Sequence, residues 1–296
     1  GMVRTLDLVL VQALTADAVP SNQLHRAIGL SRSTLDGARV VGSIAGGMIF
    51  EVLGLDWAYI SITVLYLLAT IAALKVDSRI VTAKVSTASI RSGLSEGLRY
   101  VRRNDLLPGL IFFSFLIEFS AFPIVNGLMT VIGDELYGLG GTGIGLLAAA
   151  ASAGGLAGAL TLGAKRKVMN PGRSMIVGSV LWHGLMLVLA MALPLWLFAV
   201  ILVLWGFSGG VTFVAMIVGL LRESPPETRG RVMGIRSLGI YGLPAGLLLG
   251  GWIAEEAGSA TMIGVLGGLG LVATLGAAVK WPALLRKSPV TRTTEE

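Results

Sequence analysis

Residues 42–54 read GSIAGGMIFEVLG, and residues 246–258 read GLLLGGWIAEEAG. The two stretches carry four glycines and one glutamate at matching places, with a constant offset of 204 residues (the difference between 246 and 42). The matching residues are Gly42, Gly46, Gly47, Glu51 and Gly54 in the first stretch and Gly246, Gly250, Gly251, Glu255 and Gly258 in the second. Self-similarity at a fixed offset indicates a repeated structural unit.

Both stretches lie in apolar segments, and a helix needs about 20 such residues to cross a bilayer. The chain is 54% hydrophobic and 14% charged, whereas soluble domains carry roughly 25% charged residues. Its mean hydropathy is +0.81. The sequence predicts an all-α membrane protein with eight complete spanning helices, at 35–53, 57–75, 107–129, 143–163, 174–193, 196–220, 237–254 and 261–279. The apolar run Val3–Leu14 is too short to span and is interpreted as the end of a ninth helix.

The positive charges lie on one side of these segments. Lys and Arg fall in loops 15–34, 75–106, 164–173 and 221–236 and in the C-terminal tail, while the alternate connections carry none. The positive-inside rule places the basic loops and the C-terminus in the cytoplasm. We therefore expect a multi-pass protein of the plasma membrane, in bacteria the inner membrane.

Several function classes find no support in the residues. The chain has no Cys and two His, so neither a disulfide nor a Cys- or His-ligated metal site is expected. Its Gly-rich runs lack the Gly-Lys-Ser/Thr of a phosphate loop, and no hydrolase or metalloprotease motif lies on a spanning helix. The net charge of +6 resides in loops between apolar segments, which does not indicate nucleic acid. We expect no enzyme activity, no cofactor and no bound metal.

An offset of about 200 residues suits a six-helix unit, because some transporters consist of two parallel six-helix halves. If 237–254 is helix 11 of such a plan, 35–53 is helix 5, and the chain holds helices 4–12 without helices 1–3. The predicted domains are then the remainder of the N-terminal half (1–75), a cytoplasmic linker (76–106), the C-terminal half (107–280) and a cytoplasmic tail (281–296).

Four stretches carry a family resemblance: LVQALTADAVPSNQLHRA (10–27), DGARVVGSIAGG (36–47), IRSGLSEGLRYVRRNDLLPGL (90–110) and RESPPETRGRVMGI (222–235). They resemble the major facilitator superfamily, and within it the enterobactin-exporter-like branch of drug and siderophore exporters. Ser43 stands where the family usually has Pro, and the basic loop GAKRKVMNPGR (163–173) lacks the family's Asp.

The resemblance implies a helical bundle in the lipid bilayer, working as a monomer. In the full-length protein it implies secondary active transport by alternating access, with proton-coupled efflux of a small amphipathic drug or siderophore. The alternatives are an uptake permease, or a non-transporting scaffold or inactive truncated product.

Glu118 is the main candidate for a role in transport, since a charge at mid-bilayer costs on the order of 3 kcal/mol. At helical spacing it shares a face with Phe122, Asn126 and Met129, on a helix that the resemblance places at the central cavity. We expect Glu118 to take up a proton or attract a cationic substrate; the alternative is a carboxyl group hydrogen-bonded within the bundle.

Other residues receive roles by position. Asp36 and Arg39 are predicted to pair at i,i+3 at the cytoplasmic gate, and Phe207 and Phe213 to line the cavity or face lipid. His183 is predicted to be packed, whereas Trp182 and Trp205 receive no role. Glycines let membrane helices approach closely, and six of the matching glycines form the predicted helix-packing motif: Gly42, Gly46, Gly47, Gly246, Gly250 and Gly251.

Overall fold

The computed structural model describes residues 24–74, 90–164, 170–191 and 193–286. Ten α-helices occupy these residues: α1 (Leu24–Leu53), α2 (Leu55–Leu74), α3 (Ile90–Arg103), α4 (Leu107–Ser120), α5 (Met129–Tyr137), α6 (Gly141–Ala164), α7 (Pro171–Leu189), α8 (Leu195–Arg222), α9 (Pro226–Ser237) and α10 (Gly242–Lys280). The predicted helix end at 3–14, the linker residues 75–89 and the tail residues 287–296 lie outside the described part.

Among the described residues, each of the eight predicted spans lies largely in helix, although α7 ends at Leu189, before the predicted end of its span at 193. A π-helical turn, Ile124–Leu128, joins α4 to α5, so this crossing continues to Tyr137 rather than ending at 129. Six helical runs among the described residues are long and apolar enough to cross a membrane, and the last of them, 228–280, contains two of the predicted spans. None of the apolar window of α2 is buried. A helix that is apolar on every exposed face suits contact with lipid.

Three predicted loops are partly helical, and one of them, 75–106, contains α3. Residues 24–34 belong to α1, and residues 226–237 form α9, which begins with Pro226 in its first turn. Proline fits the first turn of a helix because its missing N–H has no partner there in any case. The charged residues that led to the loop prediction therefore lie on helices at the basic end of the bundle.

The last matching glycine of the repeat has a positive φ in both copies. Gly54 (φ 87°) separates α1 from α2, and Gly258 (φ 84°) divides α10 into helices at 242–257 and 259–280. L-residues with a side chain rarely adopt a positive φ of this size. The matching glycines at 54 and 258 thus end equivalent helices.

Replacing Gly258 with alanine is expected to destabilise the chain by about 1–3 kcal/mol, the usual cost of a disallowed backbone conformation. The added Cβ would also approach Glu135 Oε1 to 3.0 Å. Gly251→Ala is the matched control, because a Cβ there meets nothing within 4 Å. Unfolding by SDS in detergent micelles measures both variants, and equal stabilities would contradict the strain at Gly258.

Small residues hold α6 between α1 and α8. A Cβ added at Gly145 would collide with the backbone of Ser43 in α1, and one added at Gly154 with the backbone of Val203 in α8. Close backbone approach at small residues is the usual mode of helix packing in membranes. The predicted packing glycines are only partly of this kind: Gly47, Gly246 and Gly250 meet neighbouring residues, whereas Gly42, Gly46 and Gly251 meet nothing within 4 Å. Those three glycines line the large cavity described below.

Candidate functional site

A buried ion pair lies near the start of α1. Asp36 is 2% exposed, and its Oδ2 accepts a hydrogen bond of 2.8 Å from Arg32 Nε. Arg39 Nη1 is 3.8 Å from Asp36 Oδ1, so the predicted Asp36–Arg39 pair exists but is the longer of two. Arg32 was placed in a loop by the sequence; because α1 begins at Leu24, it faces Asp36 one helical turn away.

The Arg32 guanidinium also reaches the helices packed against α1. Its Cζ lies 4.4 Å from the ring centre of Phe213 in α8 and 5.7 Å from that of Phe122, just beyond α4. Cation–π contacts of this kind are worth roughly 0.5–2 kcal/mol, more when water is excluded. Arg32 therefore links α1 to two other helices, and we call Arg32, Asp36, Phe122 and Phe213 the arginine latch.

A second arginine approaches Phe213 from α9. Arg236 is 3% exposed, its Nε donates to Ser114 Oγ at 3.1 Å, and its Cζ lies 5.4 Å from the Phe213 ring centre. The carboxylate of Glu118, one turn after Ser114, acts favourably on the Arg236 charge, whereas Arg32 opposes it. Glu118 is itself 9% exposed. Glu118 is thus a buried carboxylate that favours the charged form of Arg236, and its role in transport stays a prediction.

The two arginines are equivalent positions of the repeat. Arg32 and Ser33 stand 204 residues before Arg236 and Ser237, the same offset as the glycine motif. Extending the match by three turns toward the N-terminus would have found them. Sequence reasoning missed the pair because both residues were assigned to loops.

A larger cavity of about 1090 Å³ lies at the opposite, acidic end of the bundle. It is bounded by α1, the π-helical turn, α5, α6 and α10, and its lining includes Asp134, Glu135 and Glu255 together with Met129. Its volume exceeds the range of about 300–1,000 Å³ usual for small-molecule sites. Phe122 lines the smaller cavity beside the latch; Asn126 and Phe207 line neither of these two cavities, and Asn126 donates to the Phe122 carbonyl oxygen instead.

Two glutamates cap helix N-termini at the acidic end. Glu51 Oε2 of α1 accepts the backbone N–H of Thr142 in α6 at 2.6 Å. Glu135 accepts the backbone N–H of Ser259 at 3.1 Å and its hydroxyl at 2.6 Å. A carboxylate at a helix N-terminus is favourable because of the unpaired N–H groups and the helix dipole. The Glu51 contact ties α1 to α6 at the acidic end, as the arginine latch ties α1 to α8 at the basic end.

The model of the Major Facilitator Superfamily matches residues 1–235 and 124–296, which together cover the chain. The chain belongs to the Major Facilitator Superfamily. This confirms the family resemblance, and membership of a family of transporters supports the prediction that the chain is not an enzyme.

Relatives within the superfamily include the enterobactin exporter EntS of Escherichia coli O1:K1, which is 24% identical over 276 residues, 93% of this chain and 61% of that protein. EntS of Shigella boydii serotype 18 gives the same figures. The chain therefore spans about 61% of the length of the curated relatives it matches.

Two solved superfamily structures share the fold. The fucose:proton symporter FucP of E. coli has a TM-score of 0.70 at 13% identity, covering 92% of this chain and 72% of its own. The human organic anion transporter MFSD10 has a TM-score of 0.63 at 16% identity, covering 91% and 67%. At such low identity these likenesses establish the fold of the helical bundle and nothing finer.

Proposed function

We propose that the full-length protein containing this chain is a secondary active transporter that exports a small amphipathic molecule in exchange for protons. The arrangement of the two ends of the bundle carries the proposal. A cavity of about 1090 Å³ lies at the acidic end, while a buried cluster of charged and aromatic side chains fills the basic end. Alternating access requires such an asymmetry, with one end of the central pathway closed while the other can admit a ligand.

The predicted division into two halves suggests a role for the arginine latch in alternating access. In this plan α1 and α2 are helices 5 and 6 of the N-terminal half, α3 belongs to the linker, and α4 to α10 form the C-terminal half. Arg32 then crosses from one half to the other, and separation of the halves at the basic end requires its withdrawal from Phe122 and Phe213. The basic end is cytoplasmic by the positive-inside rule, so withdrawal would expose the pathway to the cytoplasm.

The direction of transport and the role of the proton rest on two further observations. The similarity to enterobactin exporters favours efflux. Protonation of the buried Glu118 carboxylate would remove the favourable effect that it has on the Arg236 charge. Transport by a monomer in the bacterial inner membrane, with a cytoplasmic C-terminus, completes the proposal.

The test uses the full-length protein in proteoliposomes with a fluorescent amphipathic substrate and an imposed pH gradient. Proton-coupled export predicts uptake into inside-out proteoliposomes with an acidic interior, and its loss when an ionophore collapses the gradient. Transport that is unchanged on collapse removes the proton coupling. Accumulation only under the opposite gradient supports an uptake permease, and no transport of any substrate tested supports a scaffold or an inactive product.

Glu118→Gln is expected to flatten the pH dependence of this transport and to lower its maximal rate by at least tenfold, because the amide keeps the shape of the side chain but can neither bind nor release a proton. The matched control is Glu96→Gln, a half-exposed carboxylate on α3 that pairs with Arg231 at 2.6 Å outside the pathway. A Glu118→Gln variant with the wild-type rate and pH profile would remove Glu118 from the mechanism.

A further inference from the structure

Two tryptophans of the C-terminal helices carry buried N–H groups without partners. Trp182 in α7 and Trp205 in α8 are each 2% exposed, and their ring centres lie 5.4 Å apart. Neither Nε1 has a hydrogen-bond partner among the residues that the structure describes. A buried hydrogen-bond donor that is left unpaired destabilises a protein by about 1–3 kcal/mol. An acceptor close to these two adjacent donors would therefore be favourable.

Both indoles line one small cavity. Its volume is about 30 Å³, and the Asp36 carboxylate, Arg32, Ser152 and Gly155 also line it. The Trp182 edge that bears Nε1 faces Gly209, 3.1 Å from where a Cβ would stand, and Gly209 is part of the same lining. The donors and a carboxylate thus border a common space.

We propose that this cavity is a hydration site, in which water accepts hydrogen bonds from the Trp182 and Trp205 indoles and donates to Asp36 and Ser152. The space suits one water molecule, because a water takes up about 30 Å³ in the liquid and needs two to four polar partners. The indole is a donor only, and a carboxylate accepts about four hydrogen bonds. Arg32 and Arg39 leave acceptor positions on Asp36 for such a water.

The chemistry of the lining excludes the other small occupants. Two N–H donors and the guanidinium of Arg32 disfavour a metal cation. The Asp36 carboxylate disfavours a halide or a carboxylate ion, and the volume is too small for an organic substrate. Water suits both kinds of group, because it accepts hydrogen bonds from the indole N–H groups and donates hydrogen bonds to the carboxylate.

A water molecule in this cavity would bridge α1 to α7 and α8. Water there connects Asp36 of α1 to α7 and α8 without a direct side-chain bond. A bridging water keeps nearly the enthalpy of a direct hydrogen bond, yet it can leave or exchange when the helices separate. Asp36 is therefore held by arginines of its own helix and solvated from the helices opposite.

Proton NMR of the chain in lipid nanodiscs, with indole-¹⁵N tryptophan, tests the proposal. The six indole signals are assigned by Trp→Phe variants. We expect direct Overhauser cross-peaks between water and the indole protons of Trp182 and Trp205, which persist in Ser152→Ala, where no Ser152 hydroxyl can relay them. Absence of these cross-peaks in the wild-type spectrum overturns the proposal.

Gly155→Ala provides a matched displacement. Its methyl group would enter the cavity 3.2 Å from Asp36 Oδ2, and we expect at least a fivefold loss of cross-peak intensity at both indoles. Gly184→Ala on α7 is the control, because a Cβ there meets nothing within 4 Å, and it should leave both intensities unchanged. Full intensity in a folded Gly155→Ala protein would contradict hydration of this cavity; if that variant does not fold, the wild-type spectrum decides alone.

Discussion

Replacing Arg236 with methionine is expected to lower the free energy of unfolding of the chain by about 3–5 kcal/mol, the usual cost of removing one partner of a buried charge pair. The substitution keeps much of the apolar stem but removes the guanidinium that bonds Ser114 and faces Phe213. It also leaves the buried Glu118 carboxylate without the positive charge that now acts on it. SDS-induced unfolding in detergent micelles measures the loss.

A double-mutant cycle separates the charge from the packing. Adding Glu118→Gln to Arg236→Met should recover most of the lost stability, because the remaining amide is neutral and no longer requires a counter-charge. Additive losses in the double variant would show that Glu118 and Arg236 do not interact, and would remove Glu118 from the cluster.

Gly206→Val is expected to destabilise the chain by about 3 kcal/mol, the upper part of the range for overpacking a tight interior. A Cβ at Gly206 would collide with the carbonyl oxygen of Ala151 in α6, which is backbone and cannot rotate away. The valine must therefore push α8 from α6, on which α1 also packs. The same unfolding assay, with cross-linking of α6 to α8, measures both effects.

Gly268→Val on α10 is the matched control, because a Cβ there meets nothing within 4 Å. It is also a glycine-to-valine change inside a helix. A loss of stability that is equal in both variants would therefore report only the change in helix propensity. Similar stabilities for Gly206→Val and Gly268→Val would contradict the close contact between α6 and α8.

The sequence predicted those features of the fold that follow from local pattern. Apolar length located the predicted spans, although α1, which contains the span 35–53, is not among the six helical runs that are long and apolar enough to cross a membrane. The sequence duplicated Gly54 and Gly258, but their positive φ values became known only from the structure. Helix extension at the basic end was not predicted, since residues 24–34 and 226–237 carry charges typical of loops. Those charges are accommodated on helices because Arg32 and Arg236 find buried partners in other elements.

The sequence named several residues that the structure brings close together, but it did not give their contacts, and their roles stay predictions. Asp36, Glu118, Phe122 and Phe213 all belong to the cluster, yet spacing along one helix could not show that Phe213 receives an arginine from each copy of the repeat. Contacts between residues far apart in sequence depend on how helices cross. Phe207 illustrates the limit, because it shares a helix with Phe213 but lines neither cavity, and its backbone is where α8 approaches Gly154 and Gly158 of α6 closely.

The arginine latch is proposed to close the basic end of a transporter, and distances between spin labels on either side of it test this closure directly. The 296 residues of this chain contain no cysteine. Leu30→Cys on α1 and Val177→Cys on α7, both exposed, can therefore be labelled in the full-length protein, once any cysteine outside these residues has been replaced, and measured by double electron–electron resonance. Arg32→Ala is expected to add a population with a longer distance, which substrate alone should also produce in the wild type. The surface variant Arg102→Ala should leave the wild-type distribution. An unchanged distribution in Arg32→Ala, with and without substrate, would contradict the latch.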